Sequence, residues 1–244
     1  MLDLHTHTQA SDGELTAKDL WTRYSEKNMG LGISDHLFRD GLSTEHGICA
    51  YLSQLESLPV YRGYEIDLGH SRILPDNLED RFQYRILSVH SIRFPDGTVY
   101  SLEPYFAYRA DAIGSFRNPF SKDTAKRVLE RLLAVYETDM RRRHIEILGH
   151  CTATPFHDVL TSDSFLEGWE NALLSLCEKY QTALEISELW QGPGLRMVQK
   201  AVRRSIKLSC GSDCHHAETA AKFCYVTEII QQARLNCEEY FFKP

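Results

Sequence analysis

Residues able to bind a metal ion recur along this chain at the ends of short apolar runs. The opening Met1-Leu-Asp-Leu-His5-Thr-His7 alternates apolar and polar side chains, which predicts a short strand. Residues two apart on a strand share a face, so His5 and His7 would present both imidazoles to one side. Two neutral imidazoles at a strand end can grip a transition metal. Asp12 and Gly13 follow in a turn from which an aspartate can reach back to the same point. Taken alone, His-x-His is more simply two surface histidines beside a turn. The pattern does not stay alone. His36 ends Leu31-Gly-Ile-Ser-Asp-His36, Glu65 stands late in Val60-Tyr-Arg-Gly-Tyr-Glu65-Ile-Asp-Leu, and His90 ends Arg85-Ile-Leu-Ser-Val-His90. His150 ends Ile145-Glu-Ile-Leu-Gly-His150, and Asp213 and His215 end a run that begins at Ile206.

Helical segments separate these strands. The spacing of apolar residues predicts helices over 14–28, N-capped by Thr16, over 44–58, stopped by Pro59, and over 122–143, 164–180 and 194–205. Ala183-Leu-Glu-Ile-Ser supplies a further strand, and two short helical stretches fill 217–240. Residues 95–120 are the least regular part, rich in Tyr and Phe, and read as a functional loop or lid over the site, or else a surface excursion. The basic run Arg141-Arg-Arg-His144 reads as a solvated helix C-terminus facing the helix dipole. Strand and helix alternate about seven times, which implies parallel strands joined by crossover helices and closed into a barrel. The active site of such a barrel lies at the C-terminal ends of its strands, where all of the residues above fall. No repeat, low-complexity segment or linker interrupts the 244 residues, so a single domain over 1–244 is expected.

Composition narrows the function. The net charge is −7, which argues against a nucleic-acid or anionic-membrane surface, where a basic face is needed. Bound cations would reverse that sign locally and leave a small anionic ester admissible. The seven cysteines, at 49, 151, 177, 210, 214, 224 and 237, show no paired spacing, and no disulfide framework is expected. No signal peptide and no apolar run long enough to span a membrane is evident, so the expected location is the cytoplasm.

The ordered set His5-Thr-His7, Ser11-Asp12-Gly13, Ser34-Asp35-His36, Gly63-Tyr-Glu65, Ser88-Val-His90, Gly149-His150 and Gly211-Ser-Asp213-Cys-His215 resembles the polymerase-and-histidinol-phosphatase (PHP) superfamily. The resemblance runs from residue 2 to residue 215. It implies a distorted seven-stranded β/α barrel of TIM-like, PHP type, with a cluster of usually three ions, zinc, manganese or iron. By position, His5, His7, Glu65 and Asp213 would bind the first ion. Glu65 would bridge to a second held by His90 and His150, and Asp12, His36 and His215 would hold the third. Ser88-Val-His90 followed by Phe94-Pro-Asp-Gly97 looks most like the histidinol-phosphate phosphatase branch. That branch implies hydrolysis of a small phosphate monoester by a hydroxide that the ions activate, with Glu65, Asp213 and His215 catalytic. The chain departs from that branch at Cys151-Thr152, where an acidic residue is common, at Cys214, commonly Ala, and in lacking a Gly soon after His215. Residues 98–143 match nothing.

Two other readings accompany this one: a phosphodiesterase or nucleotide phosphatase of the same superfamily, and a non-catalytic metal-binding module. The expected partner is a small phosphorylated substrate, with no membrane or nucleic acid. Arg93, Arg109, Arg117 and Arg196 are candidates to clamp phosphate, and equally ordinary surface residues. Trp190 reads as a stacking platform or as core. Asp35 reads evenly as support for a ligating histidine or as a turn residue. His46, His70, His144 and His157 read as surface or loop residues, His216 as solvent-facing or supporting, and Cys151 and Cys214 as bystanders.

Overall fold

A computed structural model describes residues 1–94, 96–111 and 116–244. Seven parallel strands close into a barrel: β1 (Leu2–Asp3), β2 (Gly30–Ile33), β3 (Tyr61–Asp67), β4 (Tyr84–Ser88), then β7 (Ile147–Leu148), β8 (Ala183–Ser187) and β9 (Leu208–Gly211), which pairs back to β1. Two further strands, β5 (Ser91–Arg93) and β6 (Val99–Ser101), form an antiparallel hairpin outside it.

Helices cover the barrel. Thr16 caps α1 (Ala17–Glu26) by accepting from Asp19 N, and Thr44 caps α2 (Glu45–Leu55) by accepting from Gly47 N. The short α3 (Asp76–Glu79) leads into β4, and α4 (Glu103–Asp111) follows the hairpin. Ser121 caps α5 (Lys122–Arg142), whose Val128, Leu129, Leu132, Tyr136 and Met140 form the buried stripe that its 3.6-residue period requires. After α6 (Pro155–Val159) come α7 (Ser164–Tyr180), capped by Asp163, and α8 (Leu195–Arg203). The chain ends with α9 (Tyr225–Ala233) and α10 (Cys237–Tyr240). Among the described residues no helix is long and apolar enough to cross a membrane.

Alternation along the strands divides the core. Leu87, Leu148, Leu184, Ile186 and Leu208 point outward to the helices, while Leu4, Tyr84, Ile86, Ile147 and Ala183 fill the lower barrel interior. Gly63 faces the Tyr84 ring so closely that a Cβ would collide with it. Phe242 packs against the same cluster, held by its N–H to Leu208 O. With its lower half plugged by apolar side chains, the barrel keeps its polar inward residues for the opposite end.

The strands are shorter than the sequence pattern suggests. The chain leaves regular pairing before each metal-type residue except Glu65, which stays within β3, but the backbone ladder continues in single contacts. Thr6 bridges Cys214, His36 bridges Glu65, and Asp213 N donates to His5 O. Residues 95–120 are also more regular than expected. Asp96-Gly97, with Gly97 at φ +89°, turns the β5–β6 hairpin, and Glu103-Pro104 begins α4. Pro95 and residues 112–115, part of that expected loop, lie outside the described residues.

Candidate metal centre

Glu65, 1% exposed on β3, is the hub of the barrel mouth. Its Oε2 lies 3.3 Å from His5 Nε2, 3.4 Å from His7 Nε2 and 3.0 Å from His36 Nδ1. Its Oε1 lies 3.2 Å from His150 Nε2 and 3.6 Å from His90 Nε2. Asp213 Oδ1 stands 3.1 Å from His7 Nε2 and 3.5 Å from His5 Nε2. On the solvent side, Asp12 places Oδ1 3.4 Å from His215 Nε2 and Oδ2 3.3 Å from His36 Nε2. All nine residues singled out from the sequence therefore converge. They fall into overlapping sets: His5, His7 and Glu65; His5, His150 and Asp213; Glu65, His90 and His150; and His7, Asp12, His36 and His215.

Two observations test whether these residues fit metal ions. The first is spacing. Two donors each about 2.1 Å from a shared ion stand roughly 3.0–3.4 Å apart at the angles of common coordination shells; most donor pairs here fall in that range. The second is satisfaction. His5 Nε2, both nitrogens of His7, His36 Nδ1 and Glu65 Oε2 are buried without a hydrogen-bond partner. Buried polar atoms are costly unless something pairs them, and cations would pair the Glu65 oxygen and one nitrogen of each imidazole, leaving the other His7 nitrogen as an N–H facing Asp12. The buried cluster can hold several metal ions, and its mixed nitrogen and oxygen donors suit transition metals.

Without ions, protons would offset the carboxylates. Burial works against ionising Glu65 and Asp213, yet the surrounding imidazoles outweigh it and hold both carboxyls well below their ordinary range. Burial likewise disfavours charge on His36 and His215, but Glu65 and Asp12 raise His36 to about 10, and Asp12 and Asp213 raise His215 to about 9. His7 goes the other way: burial, with His215 and His36 beside it, pushes it down to about 4.

A second ring of residues aims the first. His5 Nδ1–H donates to Glu185 Oε1 at 2.6 Å, which turns Nε2 toward Glu65. Glu185 Oε2 accepts the N–H of His150 at 2.5 Å, so one carboxylate organises two cluster positions. His90 Nδ1–H donates to Asp67 Oδ1 at 2.6 Å, and Arg39 Nη2 donates to both oxygens of Asp67, 2.7 and 2.8 Å away. Partners of this kind fix tautomer and ring orientation in metal sites. Trp190 Nε1–H donates to Asp213 Oδ2 at 2.6 Å. Sequence reasoning missed Glu185, Asp67 and Arg39. The available signal was an acid at an inward position of an otherwise apolar strand, as Glu185 is in β8. Trp190 is neither plain core nor only a platform. Asp35 is a turn organiser: it accepts from Thr8 N at 2.7 Å, Thr8 Oγ1 at 2.8 Å and Ser11 Oγ at 2.6 Å, which sets the turn carrying Asp12.

The hairpin and α4 border the mouth. Phe106 lies 5.8 Å, centroid to centroid, from both His90 and His150, and 4.5 Å from Trp190. Two of the candidate phosphate clamps have other partners. Arg109 donates to Tyr105 Oη, Asp158 and Trp190 O, and Arg196 pairs with Glu167 and Glu170. Arg93 and Arg117 are exposed. His46 is exposed, His70 stacks on Phe38, and His144 pairs with Glu146. His157 lies on α6, 3.8 Å from Glu170, and His216 bonds Glu14. Burial pushes the Cys214 thiol up to about 11 and raises Cys151 well above the usual thiol range, so neither is a ready thiolate.

Fold and site together define a closed seven-stranded parallel β/α barrel with a buried His/Asp/Glu cluster at its mouth, an arrangement compatible with a metalloenzyme. Neither protein-family models nor curated protein sequences match this chain.

Proposed function

We propose that this chain is a PHP-type phosphoesterase that hydrolyses a small phosphate monoester, histidinol phosphate being the first compound to test. The observation that carries the reading is Glu65, whose two oxygens face five imidazoles and so can be shared between neighbouring ions. His5, His7, Glu65 and Asp213 would hold one ion, Glu65, His90 and His150 a second, and Asp12, His36 and His215 a third. When bound, such ions supply a nucleophile at neutral pH and offset charge on the phosphoryl oxygens. The remaining work belongs to the chain. Glu185 and Asp67 keep the imidazoles of His5 and His90 aimed inward. Phe106 and Trp190 exclude water from the His90–His150 side. His215, with 24% of its side chain exposed, stands with Asp12 at the open edge of the cluster, where a substrate would enter.

Charge supports a small substrate over a polymer. The candidate clamps Arg109 and Arg196 are paired with carboxylates, and the chain carries −7 overall, which argues against the basic track a nucleic acid needs. The test is elemental analysis of the purified protein followed by phosphate release from a panel of monoesters and diesters. Turnover of monoesters is expected. Turnover confined to diesters would replace this reading with a phosphodiesterase, and none at full metal loading would leave a non-catalytic metal-binding module.

A further inference from the structure

Asp213 uses its two oxygens differently. Oδ1 faces the cluster, 3.1 Å from His7 Nε2 and 3.5 Å from His5 Nε2. Oδ2 lies 4.0 Å from His150 Nε2 and accepts the indole N–H of Trp190 at 2.6 Å. The indole is 6% exposed, and its ring lies against Phe106 of α4. The main chain of the same residue is also engaged, since Trp190 O accepts from Arg109 Nη2, again on α4, at 3.3 Å. One residue thus touches a cluster carboxylate with its side chain and the helix at the mouth with both side chain and backbone.

We propose that Trp190 is a positioning residue that restricts Asp213 to a single donor oxygen and ties that restriction to the seating of α4. A carboxylate oxygen engaged by a short, buried N–H bond is a poorer ligand than its free partner, so Oδ1 alone is presented to the ions. The bond is buried, where the alternative of a water partner is absent and the hydrogen bond carries most weight. Such a restraint matters because Asp213 lies two residues beyond β9 at φ +52°, in the left-handed region, with the bond from its N–H to His5 O as its ladder contact. Arg109 completes the link: its guanidinium is held by Asp158 and Tyr105 and so acts as a fixed peg for the Trp190 carbonyl.

The inference rests on the cluster binding metal, not on phosphate ester hydrolysis, and the probe is the metal alone. Trp190→Phe keeps the ring against Phe106 and removes the N–H. Cobalt titration of metal-free wild type and variant reads both affinity and coordination. A loss of about tenfold or more in affinity, the usual effect of removing a supporting partner, is expected, with visible bands that shift and weaken as Oδ2 becomes a second donor. An unchanged cobalt spectrum and affinity in a variant of unchanged melting temperature would overturn the proposal. Should the variant fail to fold, indole ¹⁵N resonances of the wild type give an independent reading. The chain has three tryptophans, and Trp169 Nε1 donates to the carbonyl of Leu129 instead. On zinc addition the Trp190 resonance is expected to move most; a Trp190 resonance that stays in place at full zinc loading would refute the role. Failure of the wild type to take up any metal would overturn the proposal together with the metal reading beneath it.

Discussion

Glu185 and His5 are 180 residues apart in sequence and 2.6 Å apart in the barrel, both with fully buried side chains. The pair locks β8 to the segment that follows β1, at the level of the cluster. Glu185 also accepts the N–H of His150, and Gly211 opposite has no room for a side chain because a Cβ would meet Glu185 Oε1. Replacing Glu185 by Gln keeps the volume but turns one acceptor oxygen into a donor facing an N–H. An unsatisfied buried group of this kind costs about 1–3 kcal/mol, so the melting temperature should fall. Metal affinity should drop by about 10–100-fold. Calorimetry and zinc titration of the same sample check both; wild-type affinity would show that His5 needs no such partner.

Glu65→Gln tests the hub. With one oxygen replaced by an amide that cannot bridge, bound metal should fall to about one ion per chain or fewer, because a bridging carboxylate serves two ions at once. Elemental analysis after reconstitution reads this directly. Phosphate release should be nearly abolished. Full metal content in the variant would remove Glu65 from the centre.

Metal uptake should release protons. In metal-free protein His36 and His215, raised to about 10 and about 9, carry protons at neutral pH. An ion must displace them, so apparent affinity should rise with pH through this range, since ligating histidines must be deprotonated. Titration calorimetry in buffers of different ionisation enthalpy counts the protons. The same shifts govern stability without metal. Because both folded-state values lie above the ordinary 6.5, the contribution is complete below pH 6.5 and is lost as pH rises through about 9 to 10. Melting of the chelated protein should therefore soften at alkaline pH, and zinc should restore it.

Phe106→Ala separates the border of the site from its ligands. Phe106 is half-buried on α4, so its loss should lower stability by only about 1–2 kcal/mol. It shields the His90–His150 side, so monoester turnover should suffer more than stability does. Equal metal content with a clear loss of phosphate release is the expected pattern. Unchanged turnover would remove α4 from the site.

The primary sequence was enough to name the cluster and its setting. His5, His7, His36, Glu65, His90, His150, Asp213 and His215 each follow an apolar run, and side-chain alternation with strand polarity sends them all to one end of a parallel barrel. That logic is local, because each residue's place follows from the few residues before it. What surrounds the cluster depended on tertiary structure. Glu185 reaches His5 from across the barrel, Asp67 sits between His90 and Arg39, and Trp190 meets Asp213 while its carbonyl holds Arg109. These contacts join strands and loops far apart in the chain, and no periodicity records them. The arginines show the same limit. Sequence offers Arg109 and Arg196 as anion clamps, and only the packing of α4 and α8 against Asp158 and Glu170 reveals that their charge is already paired. Which residues can bind an ion follows from their type and strand position. How each is aimed follows from burial, since an imidazole or carboxylate cut off from water must take whichever partner the fold brings to it.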